Sequence, residues 1–283
     1  MSVAKVSVKA GLLIAAALSG GGFLLAQSGP GSGDQIRDAF IRTRPTSVKQ
    51  TRPVVARNKS PKQRPTPPAS LEPLGLGYTL YARNSQGRPE RVDPRRVFNT
   101  GDEIRFVVEA NQDAYLYVFN ADSKGALRMI YPHARLQNGD NFIQGHVPYQ
   151  IPSAKEPDPE AQWFAFLTPG EVREKIFFVL SRSPLPDVPT NERLIQAVRQ
   201  SGQEVWTPPG NVWARVETAM EQPVKRTIVR QELGRLQSPD EALAITREIG
   251  LRPNVAAPSV IHLSESAADA LVVDLNSSNS ECT

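Results

Sequence analysis

The stretch EIRFVVEANQDAYLYVF, residues 103–119, decides the fold class because it holds two strand patterns of different kinds. Alternation in residues 103–109 puts three apolar side chains on one face, which predicts a half-buried strand. These are Ile104, Phe106 and Val108, with Arg105 and Glu109 on the opposite face. Residues 115–119 are apolar on both faces, which predicts a strand at the centre of a sheet.

Turn residues separate this stretch from further short strands. Asn120–Gly125 carries turn chemistry, so residues 115–119 and 126–131 are expected to form a hairpin that ends at Pro132. A second hairpin is predicted from residues 163–167 and 176–180, around Thr168-Pro169-Gly170-Glu171. Three more strands are expected at residues 76–82, 142–143 and 270–275.

About eight short strands with no helix before residue 187 predict a mainly β fold, an antiparallel β-sandwich over residues 74–276. Residues 187–252 predict helices instead: one at 191–200, one carrying Trp213, Val216 and Met220, and one that starts at the capping box Ser238-Pro239-Asp240-Glu241 and ends at Gly250. We interpret 187–252 as a helical insertion that covers the sandwich; a small separate domain is the alternative. Residues 277–283 are expected to be a flexible tail.

The N-terminus has the pattern of a targeting segment. Lys5 and Lys9 precede an uncharged stretch of 16 residues, 11–26, which is shorter than the ~20 apolar residues that a membrane-spanning helix needs. Residues 1–26 are therefore predicted to be a cleaved signal peptide, with an uncleaved anchor as the alternative. The chain is expected to be periplasmic or secreted, or anchored at the inner membrane.

Residues 27–73 are predicted to be a disordered, Pro-rich basic linker. Eight prolines lie between Pro30 and Pro73, and apolar periodicity is almost absent. Residues 35–68 hold nine basic side chains against Asp38 alone, which suggests weak contact with an anionic membrane or wall polymer. They are Arg37, Arg42, Arg44, Lys49, Arg52, Arg57, Lys59, Lys62 and Arg64. Residues 69–283 have 22 basic and 27 acidic residues, which argues against a folded nucleic-acid-binding domain.

The sequence contains no recognisable pattern of catalytic, cofactor-binding or metal-binding residues. Cys282 is the only cysteine, so disulfides within the chain and cysteine-cluster metal sites are excluded. His133, Asp140 and His146 fall in one predicted loop region and form a weak candidate metal group, and His262 matches no motif. The carboxylates Asp158 and Glu160 are expected to be solvated.

Two further motifs have a structural and a functional interpretation. Gly101-Asp102 is expected to set the turn into a strand, because glycine adopts positive φ and Asp accepts local hydrogen bonds. Tyr115 and Tyr117 share a strand face; a buried aromatic face is the expected outcome, and stacking on a sugar ring is the alternative.

Several segments together resemble a bacterial family known as domain of unknown function 4384. They are Leu76-Gly77-Tyr78-Thr79-Leu80-Tyr81, Gly101-Asp102-Glu103-Ile104-Arg105-Phe106, Tyr115-Leu116-Tyr117-Val118, Ile130-Tyr131-Pro132 and Phe178-Val179-Leu180-Ser181-Arg182. The resemblance covers about residues 76–184, with the strand at 270–275 as an extension. It implies an envelope or secreted protein and carries no established activity.

These observations lead to one hypothesis of function and two alternatives. The first is a non-enzymatic extracytoplasmic binding or scaffold module of the bacterial cell envelope, whose partner is an envelope protein or polymer. One alternative is a polysaccharide or cell-wall hydrolase that uses loop carboxylates. The other is a membrane-associated regulatory or assembly accessory that docks through its basic linker.

Overall fold

The computed structural model describes residues 32–46, 72–121, 125–166 and 175–275 of the 283-residue chain. The predicted signal segment, the predicted tail and residues 27–31 and 47–71 of the predicted linker lie outside these residues. The statements on structure below refer to the described part of the chain.

Strands outweigh helices in the described residues, which confirms the predicted mainly β class. The twelve strands are β1 (Gly75–Arg83), β2 (Pro89–Arg91), β3 (Glu103–Ala110), β4 (Ala114–Ala121), β5 (Leu127–Tyr131), β6 (Phe142–Ile143), β7 (Tyr149–Ile151), β8 (Phe164–Ala165), β9 (Lys175–Ser181), β10 (Val224–Ile228), β11 (Val260–Ser264) and β12 (Ala270–Asp274). The four α-helices are α1 (Ser32–Arg42), α2 (Asn191–Ser201), α3 (Gly210–Met220) and α4 (Pro239–Arg247).

The strands form two antiparallel sheets that pack face to face. The first sheet has the order β10-β11-β1-β3-β7, with β2 beside β1 and β8 beside β3. The second has the order β12-β9-β4-β5, with β6 beside β4. Alternate side chains of both sheets meet in the core, where Phe178 lies 5.5 Å from the ring of Tyr78 and 5.6 Å from that of Phe106.

The helical insertion covers the outer face of the second sheet. Trp213 of α3 packs edge-on against Phe119 of β4 and Phe177 of β9, with ring centroids 5.7 and 5.0 Å apart. Leu194 of α2 is buried in the same cluster. The three predicted helices are present, but the insertion also supplies β10 to the first sheet, which the sequence analysis did not predict.

Residues 32–46 differ from the predicted disordered linker. They form α1 and a turn on the outer face of the first sheet, where Phe40 is fully buried with Ile261. The segment forms a helix because its two buried apolar residues, Ile36 and Phe40, recur at the helical spacing of four. Gly77 of β1 permits the close approach of Pro258 and of the Phe40 ring, since a Cβ atom there would lie 2.4 Å from Pro258 and 3.1 Å from Phe40.

Pairing corrects two other local predictions. The strands predicted as a second hairpin lie in different sheets: β8 pairs with β3, and β9 pairs with β4 and β12. The strand at 103–109 is buried on both faces rather than half-buried, because α4 and several loop residues cover its outer face; Arg105 and Glu109 are 8% and 2% exposed. The first hairpin is confirmed by the antiparallel pairing of β4 with β5.

Helix α4 begins as predicted and ends earlier than predicted. The Ser238 hydroxyl accepts a hydrogen bond from the backbone N–H of Glu241, whose carboxylate in turn accepts one from the Ser238 N–H. Its last helical residue is Arg247, and Glu248 rather than Gly250 adopts the left-handed conformation that ends the helix. Local capping chemistry therefore fixed the start more firmly than the end.

Candidate functional site

A cavity of about 300 Å³ lies at one open side of the sandwich, where the edge strand β5 of the second sheet faces β7 and β8 of the first. We call it the edge cavity, and its most informative lining residues are Tyr131, His133, Asp140, Glu156, Trp163 and Phe164. Its volume is at the lower end of the ~300–1,000 Å³ that small-molecule sites occupy. The edge cavity is therefore large enough for a small ligand.

Strand ends position the walls of the edge cavity. Tyr131 is the last residue of β5 and Ile151 is the last residue of β7; each is followed by a proline, and both peptide bonds to proline are cis. Trp163 sits directly between a short 3₁₀ helix, Glu160–Gln162, and β8. The two sheets thus contribute opposite apolar walls, and the loops after their strands contribute the polar groups.

Two arginines fix the position of Trp163. The guanidinium carbon of Arg105 lies 4.3 Å from the ring centroid of Trp163, and that of Arg83 lies 5.4 Å from it. Arg83 also pairs with Glu103 and Glu160, at 2.8 Å to each carboxylate. Neither arginine lines the edge cavity. The aromatic wall is therefore held in place from outside the cavity.

The polar groups of the edge cavity differ in charge. Burial lowers the pKa of His133, so its imidazole is neutral at pH 7. Burial and the nearby Tyr149 and Asp140 raise the pKa of Tyr131, which keeps its phenol neutral. The carboxylates of Asp140 and Glu156 complete the lining, and the Asp140 side chain accepts a hydrogen bond from the Phe142 N–H at 3.1 Å.

The structure brings together only part of the candidate metal group. His133 and Asp140 both line the edge cavity, whereas His146 is buried beside α1 on the outer face of the first sheet. No group of three or more His, Cys, Asp or Glu side chains suited to a metal occurs in the described residues, and Cys282 lies outside them. Glu156, Tyr131 and Trp163 were not predicted as site residues, because nothing in their local patterns differs from that of a strand or a solvated loop.

The other sequence-predicted candidates have structural roles. Asp158 accepts a hydrogen bond from the backbone N–H of Glu160, and Glu160 pairs with Arg83. Gly101 has φ +90° as expected, and Asp102 accepts a hydrogen bond from the Asn99 N–H. Tyr117 is fully buried and its hydroxyl accepts from the Leu185 N–H, so this tyrosine is not available to stack on a sugar; the ring of Tyr115 packs edge-on against Phe142 at 5.6 Å.

A buried polar array joins α1 to the first sheet. Arg44 donates two hydrogen bonds to the carboxylate of Glu109, at 2.9 and 2.7 Å. The other partner of Glu109 is Nδ1 of His146, at 2.8 Å, and Nε2 of His146 lies 2.8 Å from the Thr43 hydroxyl. Burial raises the pKa of Glu109, but Arg44 and His146 outweigh burial and hold it below its ordinary value.

This order of hydroxyl, imidazole and carboxylate resembles that of a hydrolase triad, but the array is better explained as a structural contact that attaches the end of α1 to the first sheet. We call this contact, formed by Thr43, Arg44, Glu109 and His146, the clasp. The Thr43 hydroxyl already donates to the Phe40 carbonyl at 2.8 Å. The carboxylate that would orient the imidazole is neutralised by a bidentate arginine. Arg44, one of the nine basic residues predicted to contact membrane or wall, is 2% exposed and committed to this clasp.

Two other cavities are less suited to a small ligand. One of about 20 Å³ lies between α4 and the first sheet, which is room for about one water. The other is a broad groove of about 830 Å³ at the opposite open side of the sandwich, between β10 and β12. The groove borders His262, whose pKa is lowered to about 3, chiefly by burial. Its width and its mixture of apolar, acidic and basic side chains define no compact site.

Residues 97–184 match the model of a protein family described as a domain of unknown function, DUF4384. The match confirms the resemblance for these residues, and it does not include residues 76–96 or the strand at 270–275. Every lining residue of the edge cavity except Val205 falls within the matched segment. No curated protein and no solved structure matches the chain. Among the described helices, none has the length and apolar character needed to cross a membrane.

Proposed function

Since the family matched by residues 97–184 is one of unknown function, we propose a function from the geometry: a non-enzymatic binding module whose ligand site is the edge cavity. The observation that supports this proposal is an apolar cavity with an aromatic wall and a few polar groups at its border. Small-molecule sites in proteins commonly have this composition. The cavity is also built almost entirely by the family-matched segment, so the site belongs to the domain rather than to the insertion.

The proposal that the edge cavity binds a ligand is tested by the ligand-induced changes in the NMR signal of Trp163. We expect members of a small-fragment set with cationic, neutral and anionic compounds to shift the NMR signal of the Trp163 indole. Ala161→Phe would fill the cavity, because Ala161 lines it. The matched control is Ala165→Phe on β8, an alanine that is also exposed but does not line the cavity.

The outcome expected from this pair of variants is specific. Fragment-induced shifts should vanish in Ala161→Phe and persist in Ala165→Phe, while both proteins keep the far-ultraviolet circular dichroism of the parent. Binding that survives Ala161→Phe, or the absence of any fragment that shifts Trp163, would overturn the proposal.

We further propose that the module works outside the cytoplasm, on an envelope protein or polymer. The support is the charged and apolar pattern of residues 1–26 together with the family resemblance. A fusion of residues 1–30 to alkaline phosphatase, which is active only after export, should be active in bacteria. Replacement of Leu12 and Leu13 by arginine should abolish the activity; a fusion inactive from the start would contradict the proposed location.

A hydrolase is the second candidate, because Asp140 and Glu156 line the same cavity. Glycosidases use two carboxyl groups that flank the bond they cleave. Release of reducing sugars from envelope polysaccharide by the full chain, lost in both Asp140→Asn and Glu156→Gln, would favour this candidate. Activity that is absent, or unchanged in these variants, would favour the binding module.

A further inference from the structure

We propose that the edge cavity binds a small aliphatic ammonium ion, a primary amine with an apolar chain. The inference rests on the proposed function and deepens it by naming the class of ligand. Three features of the cavity lead to this class: its charge, an unsatisfied buried hydroxyl and its apolar walls.

The charge of the lining favours a cation. Asp140 and Glu156 are the ionisable acids of the lining, and His133 is neutral at pH 7 because burial lowers its pKa. None of the described lining residues is Lys or Arg. The charge of Glu156 raises the pKa of His133 and that of Arg135, which lies outside the lining, lowers it, so both charges act near the cavity. Such a border attracts a cation and repels an anion.

The buried hydroxyl of Tyr131 is an independent sign of a polar ligand group. Tyr131 lines the edge cavity and is 8% exposed, and its hydroxyl has no hydrogen-bond partner among the described residues. Other buried polar atoms of the described residues, such as the Tyr78 and Ser259 hydroxyls, also have no hydrogen-bond partner, but among the lining residues of the edge cavity Tyr131 alone carries such an atom. Water or an ion commonly satisfies buried groups of this kind. An ammonium group would donate a hydrogen bond to this oxygen and to the carboxylates.

The apolar walls of the edge cavity favour a ligand whose remaining part is an apolar chain. Ile130 and Ile151 lie at the ends of the two facing edge strands, as the penultimate residue of β5 and the last residue of β7, and Trp163 and Phe164 supply aromatic surface. A chain of a few methylene groups would be removed from water there, which is favourable by about 0.8 kcal/mol for each buried methylene. The combination of an acidic border with apolar walls selects an alkylammonium over both a bare metal ion and a neutral hydrocarbon.

The inference is tested with three ligands of equal chain length and different charge. Isothermal titration of the full chain at pH 7 would compare hexylamine, 1-hexanol and hexanoate. We expect hexylamine to bind at least tenfold more tightly than 1-hexanol, and hexanoate to bind most weakly. The double variant Asp140→Asn, Glu156→Gln should reduce the affinity for hexylamine to that for 1-hexanol and leave 1-hexanol unchanged. Asp158→Asn, outside the lining, is the matched control and should change neither affinity.

The same variants separate this inference from the function on which it rests. Equal affinity for hexylamine and 1-hexanol, or hexylamine binding that survives the double variant, would overturn the ammonium assignment and leave the binding cavity in place. If no compound of this series binds while other fragments shift Trp163, the assignment also fails and the cavity stands. If nothing binds in either experiment, the proposed function fails as well.

Tyr131→Phe isolates the contribution of the hydroxyl. The variant keeps the ring and removes one oxygen that has no partner among the described residues, so the fold should be retained or slightly stabilised. We expect the affinity for hexylamine to fall severalfold and that for hexanoate to stay the same. Unchanged affinity for hexylamine would show that the ammonium group does not reach Tyr131 and would overturn this part of the assignment.

Discussion

Glu109 lies at the centre of the clasp, between Arg44 and His146, and its side chain is 3% exposed. In Glu109→Gln the guanidinium of Arg44, which is fully buried, loses the charge that compensates it. Breaking a buried ion pair from one side typically costs about 3–5 kcal/mol. We predict a loss of this size in the free energy of unfolding, measured by urea denaturation at pH 7.

Glu160→Gln is the matched control for this prediction. Glu160 also pairs with an arginine through two hydrogen bonds, but it is exposed to solvent. Solvent screens such a pair, so its removal should leave the unfolding midpoint nearly unchanged. Equal effects of the two substitutions would contradict the account of a buried clasp.

His262 should make the stability of the fold depend on pH. Burial lowers its pKa from 6.5 to about 3, and the positive charge of Arg226 adds to this shift. Between these two pH values the unfolded chain binds a proton that the folded chain does not, so stability is lost as the pH falls from 6.5 towards 3. The slope from this one residue is at most about 1.4 kcal/mol per pH unit.

The comparison of the wild type with His262→Leu isolates this slope. His133 also has a lowered pKa and contributes in the same direction, so the prediction concerns the difference between the two proteins. We expect the wild type to lose more stability than His262→Leu between pH 6.5 and pH 5, as measured by urea denaturation. Parallel pH profiles would show that His262 is hydrated in the folded chain.

At the scale of elements, α1 decides where the folded unit begins. Phe40 is fully buried against Val229, Ala257 and Ile261, and it meets the His146 ring edge-on at 5.6 Å. Truncation of a buried phenylalanine costs about 3–5 kcal/mol. Phe40→Ala should therefore destabilise the whole protein by this amount in thermal or urea unfolding, and Arg42→Ala, on the exposed face of α1, should have little effect.

Hydrogen exchange gives an independent measurement for the same element. The amides of the last two turns of α1 should be protected in the wild type and exchange faster in Phe40→Ala. Rapid exchange of these amides in the wild type would mean that the linker prediction holds for residues 32–46 after all.

The elements that the sequence predicted are those with local causes. The capping box at Ser238 needs only neighbours within three residues, and the first hairpin needs only a turn between two apolar runs. Helix α1 was not predicted because the Pro-rich, basic sequence around it obscures the spacing of its two buried apolar residues, Ile36 and Phe40. The partners of Glu109 are 65 and 37 residues away, at Arg44 and His146, so its burial has no local signal.

The edge cavity is a second feature that the local sequence does not predict. Tyr131 and Trp163 were both placed in strand segments, but the cavity arises because β5 and β8 belong to different sheets. A predicted hairpin between 163–167 and 176–180 would have put Trp163 beside β9 and closed this side. Long-range strand pairing decides which edges of the two sheets face each other. Period-two alternation in the sequence predicts strands but does not predict their partners.

At the scale of the whole molecule, helices cover both outer faces of the sandwich. Whether the insertion is a separate domain depends on how tightly its helices pack on the second sheet. Trp206 pairs with Met129 of β5 in an isolated bridge, and Trp213 packs on β4 and β9, so two tryptophans of the insertion report its contact with the second sheet. Shared cores of this kind unfold as one unit.

We therefore predict that tryptophan fluorescence and far-ultraviolet circular dichroism give the same urea midpoint for the full chain. Val216→Ala removes buried methyl groups of α3. It should lower the free energy of unfolding obtained from both curves by the same amount, about 1–3 kcal/mol. Asn211→Ala, at an exposed position in the first turn of α3, serves as the control. An early fluorescence transition that leaves the sheet signal intact would instead identify residues 187–252 as an independently folding domain, because only weak contacts let neighbouring units unfold separately.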